Sequence, residues 1–128
     1  MSTLKVNTLE EATAGGATFF TAKAWISMNG IGTVAIRNDG NISSLSDNGV
    51  GDYTANFSNA LSTSNHGMSG SIATYTPGDP GGSDVHLYTS SGIYGANPAL
   101  STGSVRVEVG SGAGANFDYG YVSWSVIL

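Results

Sequence analysis

Hydrophobic and polar residues alternate along this chain in short runs, which predicts β-strands rather than helices. The alternation is clearest in residues 104–109 and 119–128. The apolar residues predicted to point inward from these two runs are Val105, Val107, Val109, Val122, Trp124, Val126 and Leu128. In the first run the same alternation predicts that Arg106 and Glu108 point outward.

About eight such runs follow one another between residues 22 and 128, separated by segments rich in Gly, Asn, Asp and Pro. Four of them lie in residues 22–58, and two more are predicted at 68–76 and 84–89. Short strands with turn signals at fairly regular intervals are typical of antiparallel all-β folds. The sequence therefore predicts an antiparallel β-sandwich of about eight short strands over residues 22–128, preceded by an extended N-terminal arm.

Two dipeptides in the first part of this region, Asn29-Gly30 and Asp39-Gly40, predict hairpin turns. Both residue types tolerate the positive φ that tight hairpin turns require. A two-residue loop at the first dipeptide would place Trp25, Val34 and Ile36 on one face.

A three-residue loop through Ile31 separates apolar from polar residues more cleanly. It would give one face the apolar residues Ala24, Ile26, Met28, Val34 and Ile36. The other face would then carry Lys23, Trp25, Ser27, Thr33, Ala35 and Arg37. A large aromatic residue on the less apolar face indicates a subunit contact, so Trp25 is the candidate interface residue.

Residues 1–21 have the weakest strand pattern and contain the Gly15-Gly16 pair. One interpretation is a frayed terminus. The other is an attachment arm, in which Leu4, Val6 and Leu9 dock on a neighbouring protein.

Uncharged polar residues dominate the composition: Gly, Ser, Thr and Asn make up 59 of the 128 residues, whereas 10% are charged. The chain has only four Lys and Arg residues, which argues against nucleic-acid binding because that needs clustered cations. We expect no membrane insertion, because no apolar run approaches the length of a membrane span. Val, Ile, Leu and Phe total 27 residues, a thin core that favours stabilisation by subunit contacts.

No motif for catalysis or for a cofactor emerges, and we expect neither an enzyme nor a bound metal. The segment from Asp47 to Asp52 has oxygen ligands beside glycines, but it lacks the spacing of a calcium loop. A turn closed by side-chain hydrogen bonds explains it better. His66 and His86 are the only imidazoles, and there is no Cys to complete a zinc site.

Exposed aromatic residues can stack on sugars. Tyr94 is the leading candidate, because the loop at residues 90–103 has no strand pattern that would bury it. Asn97 follows closely and could hydrogen-bond sugar hydroxyls, and Tyr88, on the preceding strand, could extend the platform. The loop at residues 77–83 is a second candidate for surface contacts.

Several motifs, taken together, resemble a known family. They are AKAW-x4-G-x-G-x-VAIR at residues 22–37, NISSL-x-DNG-x-GDYT-x-NF at 41–57, and the closing S-VRVEVG and D-YGYVSWSVIL. The pattern resembles a small domain of tail-fibre and baseplate-associated proteins in tailed bacteriophages, particularly phages of cyanobacteria and other aquatic bacteria. The opening MSTLKVNTL is similar to the start of many such fibre proteins. Residues 61–100 carry no resemblance.

The resemblance implies a structural protein of a phage virion, located in the tail fibre or at the baseplate periphery. It implies a homo-oligomer, expected to be a trimer, with other tail or baseplate proteins as partners and a host surface glycan as a further possible contact. Two alternatives stay open, a capsid decoration protein and a free carbohydrate-binding module.

Overall fold

The computed structural model describes residues 22–73, 85–88, 101–111 and 116–128. Within these residues the chain contains eight β-strands and no helix, in two sheets that face each other as a sandwich. The strands are β1 (Ala22–Asn29), β2 (Ala35–Gly40), β3 (Ile42–Gly49), β4 (Asp52–Phe57), β5 (Gly67–Ala73), β6 (Val85–Tyr88), β7 (Ser104–Ser111) and β8 (Tyr121–Ile127). The predicted all-β sandwich is confirmed.

Each sheet has four antiparallel strands. The first sheet has the order β2-β1-β8-β5, and the second has the order β3-β4-β7-β6. In the first sheet, β1 and β8 are central although they lie at opposite ends of the described chain. The outer face of the first sheet is therefore assembled from segments far apart in sequence.

Alternating apolar residues from both sheets form one core. The first sheet contributes Ala24, Ile26, Met28, Val122, Trp124 and Val126, and the second contributes Ile42, Tyr53, Ala55, Phe57, Val105, Val107 and Val109. Leu128 packs partly buried against this cluster. The inward faces predicted for the last two strands are thus confirmed.

The first hairpin has the predicted faces but a longer loop. Met28 pairs with Ile36 and Asn29 with Ala35, which leaves five residues between the strands instead of two or three. The Asn29 side-chain amide donates hydrogen bonds to two carbonyl oxygens inside this loop, at 2.7 and 3.1 Å, and so stabilises the wider turn. Trp25 lies on the outer face, as the cleaner of the two registers predicted.

The hairpin predicted at Asp39-Gly40 is wrong, because β2 and β3 belong to different sheets. The chain crosses between the sheets at Asn41, which has a φ of 62°. Its side-chain amide donates to the carbonyl oxygens of Lys23 and Asn59, both at 3.0 Å. These bonds stabilise the crossing between the sheets. Asn at a positive φ is also typical of a tight hairpin turn, so the same residue type fits both structures.

The turn between β3 and β4 is closed by side-chain hydrogen bonding, as predicted. The Asp47 carboxylate accepts a hydrogen bond of 3.0 Å from the backbone N–H of Gly49. Gly49 and Gly51 have φ values of 136° and 63°. The carboxylate therefore stabilises the turn in the way the Asx-turn interpretation requires.

Several predicted residues lie outside the described part of the chain. They are Leu4, Val6, Leu9, Tyr94 and Asn97. Tyr88 is in β6, where its backbone pairs with Glu108. Within the described ranges no helix is long and apolar enough to cross a membrane.

Candidate functional site

The outer face of the first sheet carries rows of serines across three neighbouring strands. Ser125 on β8 lies opposite Trp25 on β1 and Ser69 on β5. One row further, Ser123 lies opposite Ser27 and Ser71 in the same way. We call this surface the serine face; it comprises Trp25, Ser27, Ser69, Ser71, Tyr121, Ser123 and Ser125.

A shallow groove of about 350 Å³ runs along the serine face. Its lining residues are Trp25, Ile26, Ser27, Ser69, Gly70, Ser71, Ser123, Trp124 and Ser125. A second hollow of about 230 Å³ shares three of these serines and reaches Tyr121. None of the described residues that line these two hollows is charged, so they offer hydroxyls and aromatic rings rather than ion pairs.

The serines pair with each other across the strands. The hydroxyl oxygens of Ser69 and Ser125 are 3.1 Å apart, and those of Ser71 and Ser123 are 3.0 Å apart. A hydroxyl has one donor hydrogen and two acceptor lone pairs. Each pair therefore keeps capacity for further hydrogen bonds to a bound molecule.

Two exposed aromatic residues flank the serines. Trp25 is 39% exposed, and its indole lies directly over Gly40 on the neighbouring strand. A side chain at Gly40 would overlap the indole nitrogen, so this glycine allows the ring to lie close to the sheet.

Tyr121, which lines the second hollow, is 57% exposed. The Arg37 guanidinium lies 4.2 Å from its ring centroid and donates a 2.9 Å hydrogen bond to the carbonyl oxygen of Gly120. Trp25 lies opposite Ser125, and Tyr121 is four residues before Ser125 on β8. The two aromatic residues are therefore roughly 13 Å apart along the strand direction.

The outer face of the second sheet is different, because oppositely charged side chains pair with each other there. Arg106 forms a bidentate ion pair with Asp52, including a 2.8 Å bond from Nε. Asn48 donates to Asp52 at 3.2 Å and to Thr54 at 2.9 Å. The hydrogen bond from Arg106 is the main reason that the pKa of Asp52 lies below its ordinary value.

Glu108 shares this second face by alternation, as the sequence predicted, but it is only 3% exposed. It lies on β7 between β4 and β6, opposite Asp52 on one side and Tyr88 on the other. The alternation thus identifies the face correctly but does not predict the burial.

A partly buried polar contact joins the two sheets at one end of the sandwich. The Tyr53 hydroxyl donates a 2.8 Å hydrogen bond to the Asp118 carboxylate, which also accepts a 2.7 Å bond from the backbone N–H of Gly51. Tyr53 also contacts Gly30 in the first hairpin. Burial, followed by the bond to Asp118, raises the pKa of Tyr53.

Of the predicted site residues, Trp25 is the one whose side chain the structure describes, and it belongs to the groove. The serines and Tyr121 were not predicted as a site. Two Ser-x-Ser sequences, at residues 69–71 and 123–125, carried the available signal, since a spacing of two puts both hydroxyls on one face of a strand.

The described residues also bear on metal binding. His66 packs its ring edge-on against Phe57, with centroids 6.4 Å apart. Among the described residues no group of three or more His, Asp and Glu side chains lies close enough to hold a metal ion.

Comparison with protein-family models, with curated proteins and with solved structures finds no match for this chain.

Proposed function

We propose that this protein is a structural component of a tailed-phage virion, located in the tail fibre or at the baseplate periphery, and that it assembles as a homo-oligomer, with a trimer expected. The proposal rests first on the motif resemblance described above. Its main structural support is that residues of those motifs fill positions on which this fold depends.

Two motif glycines illustrate this support. At Gly30 a Cβ atom would lie 3.0 Å from the carbonyl oxygen of Tyr119 and would overlap the Tyr53 hydroxyl. At Gly51, which has a positive φ, it would lie 2.8 Å from the backbone nitrogen of Phe117. A side chain does not fit at either glycine, so we expect a family with this fold to keep glycine at both positions.

The polar chemistry of the described residues also favours a structural role over a catalytic one. Asp52 is held by Arg106 and Asn48, while Asp118 accepts bonds from Tyr53 and Gly51. These carboxylates stabilise turns and strands. We accordingly expect no enzymatic activity and no requirement for a cofactor.

The proposal keeps two further predictions from the sequence. The arm at residues 1–21, with Leu4, Val6 and Leu9, would attach the protein to tail or baseplate components. The loop at residues 90–103, with Tyr94 and Asn97, would contact the host surface, next to Tyr88.

Antibody labelling of phage particles tests the location. Antibodies raised against the purified chain, detected by electron microscopy on particles that encode it, should label the tail or baseplate. Label on the capsid shell would instead favour a decoration protein, and unlabelled intact particles would overturn the virion assignment.

Native mass spectrometry of the purified chain tests the oligomeric state. It should give a trimer mass, and a monomer at micromolar concentration would contradict the proposed oligomer.

A further inference from the structure

We propose that the serine face binds a neutral oligosaccharide, with Trp25 as the stacking platform and the paired serines as hydrogen-bonding partners. The site is distinct from the loop residues predicted from the sequence. This inference goes beyond the virion assignment and does not depend on it.

The groove has the dimensions and lining that such a ligand requires. Its volume of about 350 Å³ falls within the range of small-molecule sites. Trp25 offers an apolar ring beside hydroxyls that can both donate and accept hydrogen bonds. A sugar presents the matching combination of an apolar ring face and peripheral hydroxyls.

The rigidity of the platform favours binding. The Trp25 indole packs over Gly40. The serines lie on β1 and β8, which each pair with a strand on both sides, and on β5, which pairs with β8. A ligand would therefore immobilise few side chains, and serines lose little conformational freedom when they are ordered. Pre-organised groups of this kind bind more tightly than mobile ones.

The lining indicates a neutral ligand. Among the described residues, all those that line the two hollows are uncharged. The nearby Arg37 is already engaged with the Tyr121 ring and the Gly120 carbonyl oxygen. An acidic polysaccharide would find little charge complementarity in the groove itself.

A second copy of the chain fits this face less well than a sugar does. Four strands and about six residues of length give a flat area of roughly 400 Å², against roughly 800 Å² per partner in a stable interface. Serine is also depleted in interface cores, and here serines separate the two aromatic residues. Burial of Trp25 in a subunit contact is the competing outcome of the test.

The test uses the full chain and a panel of neutral hexasaccharides built from glucose, mannose or galactose, each titrated to about 10 mM, the range of weak binding. Binding is followed by isothermal titration calorimetry and by protection of tryptophan fluorescence from acrylamide. Trp25 should give the protection signal, because the second tryptophan, Trp124, is buried.

Two variants and one control identify the groove. Trp25→Ala should weaken binding at least about 10-fold, corresponding to about 1.4 kcal/mol. A double variant, Ser71→Ala with Ser123→Ala, should weaken it by about 5-fold through lost hydrogen bonds. Val50→Ala removes an exposed apolar side chain at the β3–β4 turn and should leave binding unchanged.

Three results would overturn the proposal. The first is the absence of binding to any member of the panel. The second is binding that Trp25→Ala and the serine double variant leave unchanged while both retain the wild-type melting temperature. The third is an oligomer that dissociates in Trp25→Ala, which would assign the face to a subunit contact. None of these results bears on the particle-labelling experiment.

Discussion

The outer face of the second sheet carries an ion pair, whereas the serine hydroxyls on the first sheet pair with each other and keep capacity for further hydrogen bonds. On the second sheet Arg106 bridges to Asp52, and Asn48 links Asp52 to Thr54. On the first sheet, the hydroxyl pairs lie in two neighbouring hollows, one reaching Trp25 and the other Tyr121, and the described residues that line them are uncharged. A face with internally paired charges contributes to the stability of the fold, while accessible hydroxyls and rings can contribute to binding. The two outer faces of the sandwich therefore differ in chemistry, and the roles proposed for them differ accordingly.

Substitutions in the second sheet and its turns should lower the stability of the fold more than substitutions on the outer face of the first sheet. Gly51→Ala should lower the free energy of unfolding by about 3 kcal/mol, combining a strained positive φ with a clash against the backbone. The added Cβ would lie 2.8 Å from the nitrogen and the oxygen of Phe117. Urea unfolding followed by circular dichroism measures the effect.

Gly32→Ala, in the first hairpin, is the matched control for Gly51→Ala. Gly32 has a similar φ of 69°, but among the described residues beyond its two chain neighbours no atom lies within 4 Å of an added Cβ. Gly32→Ala should therefore lower the free energy of unfolding by only about 1 kcal/mol, from the strained positive φ alone. Equal losses in the two variants would refute the importance of the contact at Gly51.

Tyr53→Phe tests the polar contact that ties the second sheet to the segment before β8. Loss of the hydrogen bond to Asp118 should lower the free energy of unfolding by about 1.5 kcal/mol at pH 8. Asp118→Asn retains an acceptor for Tyr53 and should lose less. An undiminished stability of Tyr53→Phe would show that the hydroxyl is irrelevant to the fold.

The effect of Tyr53 should also depend on alkaline pH. Burial raises the folded-state pKa above the ordinary value of 10.0, so the unfolded chain releases the proton first. The stabilisation is therefore complete below pH 10 and declines as the pH rises toward the folded-state pKa. The stability difference between wild type and Tyr53→Phe should shrink from pH 10 to pH 11.5, and a constant difference would contradict the raised pKa.

Strand positions and their faces were predictable from the sequence because alternation depends only on local geometry. The inward valines of β7 and the outward Trp25 both follow this rule. The Asp39-Gly40 crossing was not predictable, since a hairpin and a crossing between sheets both use residues that accept positive φ. Which of the two forms depends on the partners of Asn41, at Lys23 and Asn59.

The groove depends on strand order, which residue patterns do not specify. Ser27, Ser71 and Ser123 each resemble an ordinary exposed position, and only the β1-β8-β5 order brings them together. Trp25 was predictable as an outward aromatic residue, but its neighbours were not. The predicted Tyr94 and Asn97 lie outside the described residues, so a role for that loop stays a prediction.

Asp52→Asn examines the ion pair on the second face directly. Removing the charge should lower the free energy of unfolding by about 1 kcal/mol at pH 7, because Arg106 is partly exposed. The folded-state pKa of Asp52 lies below its ordinary value of 3.8, so this stabilisation is present above pH 4 and is lost as the pH falls through the folded-state pKa. The difference from wild type should therefore narrow between pH 4 and pH 2.

Asp47→Asn is the control for this charge change. An asparagine oxygen can still accept the hydrogen bond from Gly49, so the loss should stay below about 0.5 kcal/mol. If it matches that of Asp52→Asn, net charge rather than the Arg106 pair determines the stability of this face.

The smallest expected effect concerns the cation on the first face. Arg37 lies over the Tyr121 ring at 4.2 Å, and both side chains are exposed. A double-mutant cycle with Arg37→Met and Tyr121→Leu should give a coupling energy of about 0.5 kcal/mol, the range of exposed cation–π pairs. The parallel cycle with Arg106→Met and Asp52→Asn should give a larger value, since two charged groups join through two hydrogen bonds. A coupling above about 1.5 kcal/mol between Arg37 and Tyr121 would mean that the first face is held as tightly as the second. Tyr121 would then be a structural residue, and the proposed ligand contacts would be restricted to the Trp25 end of the groove.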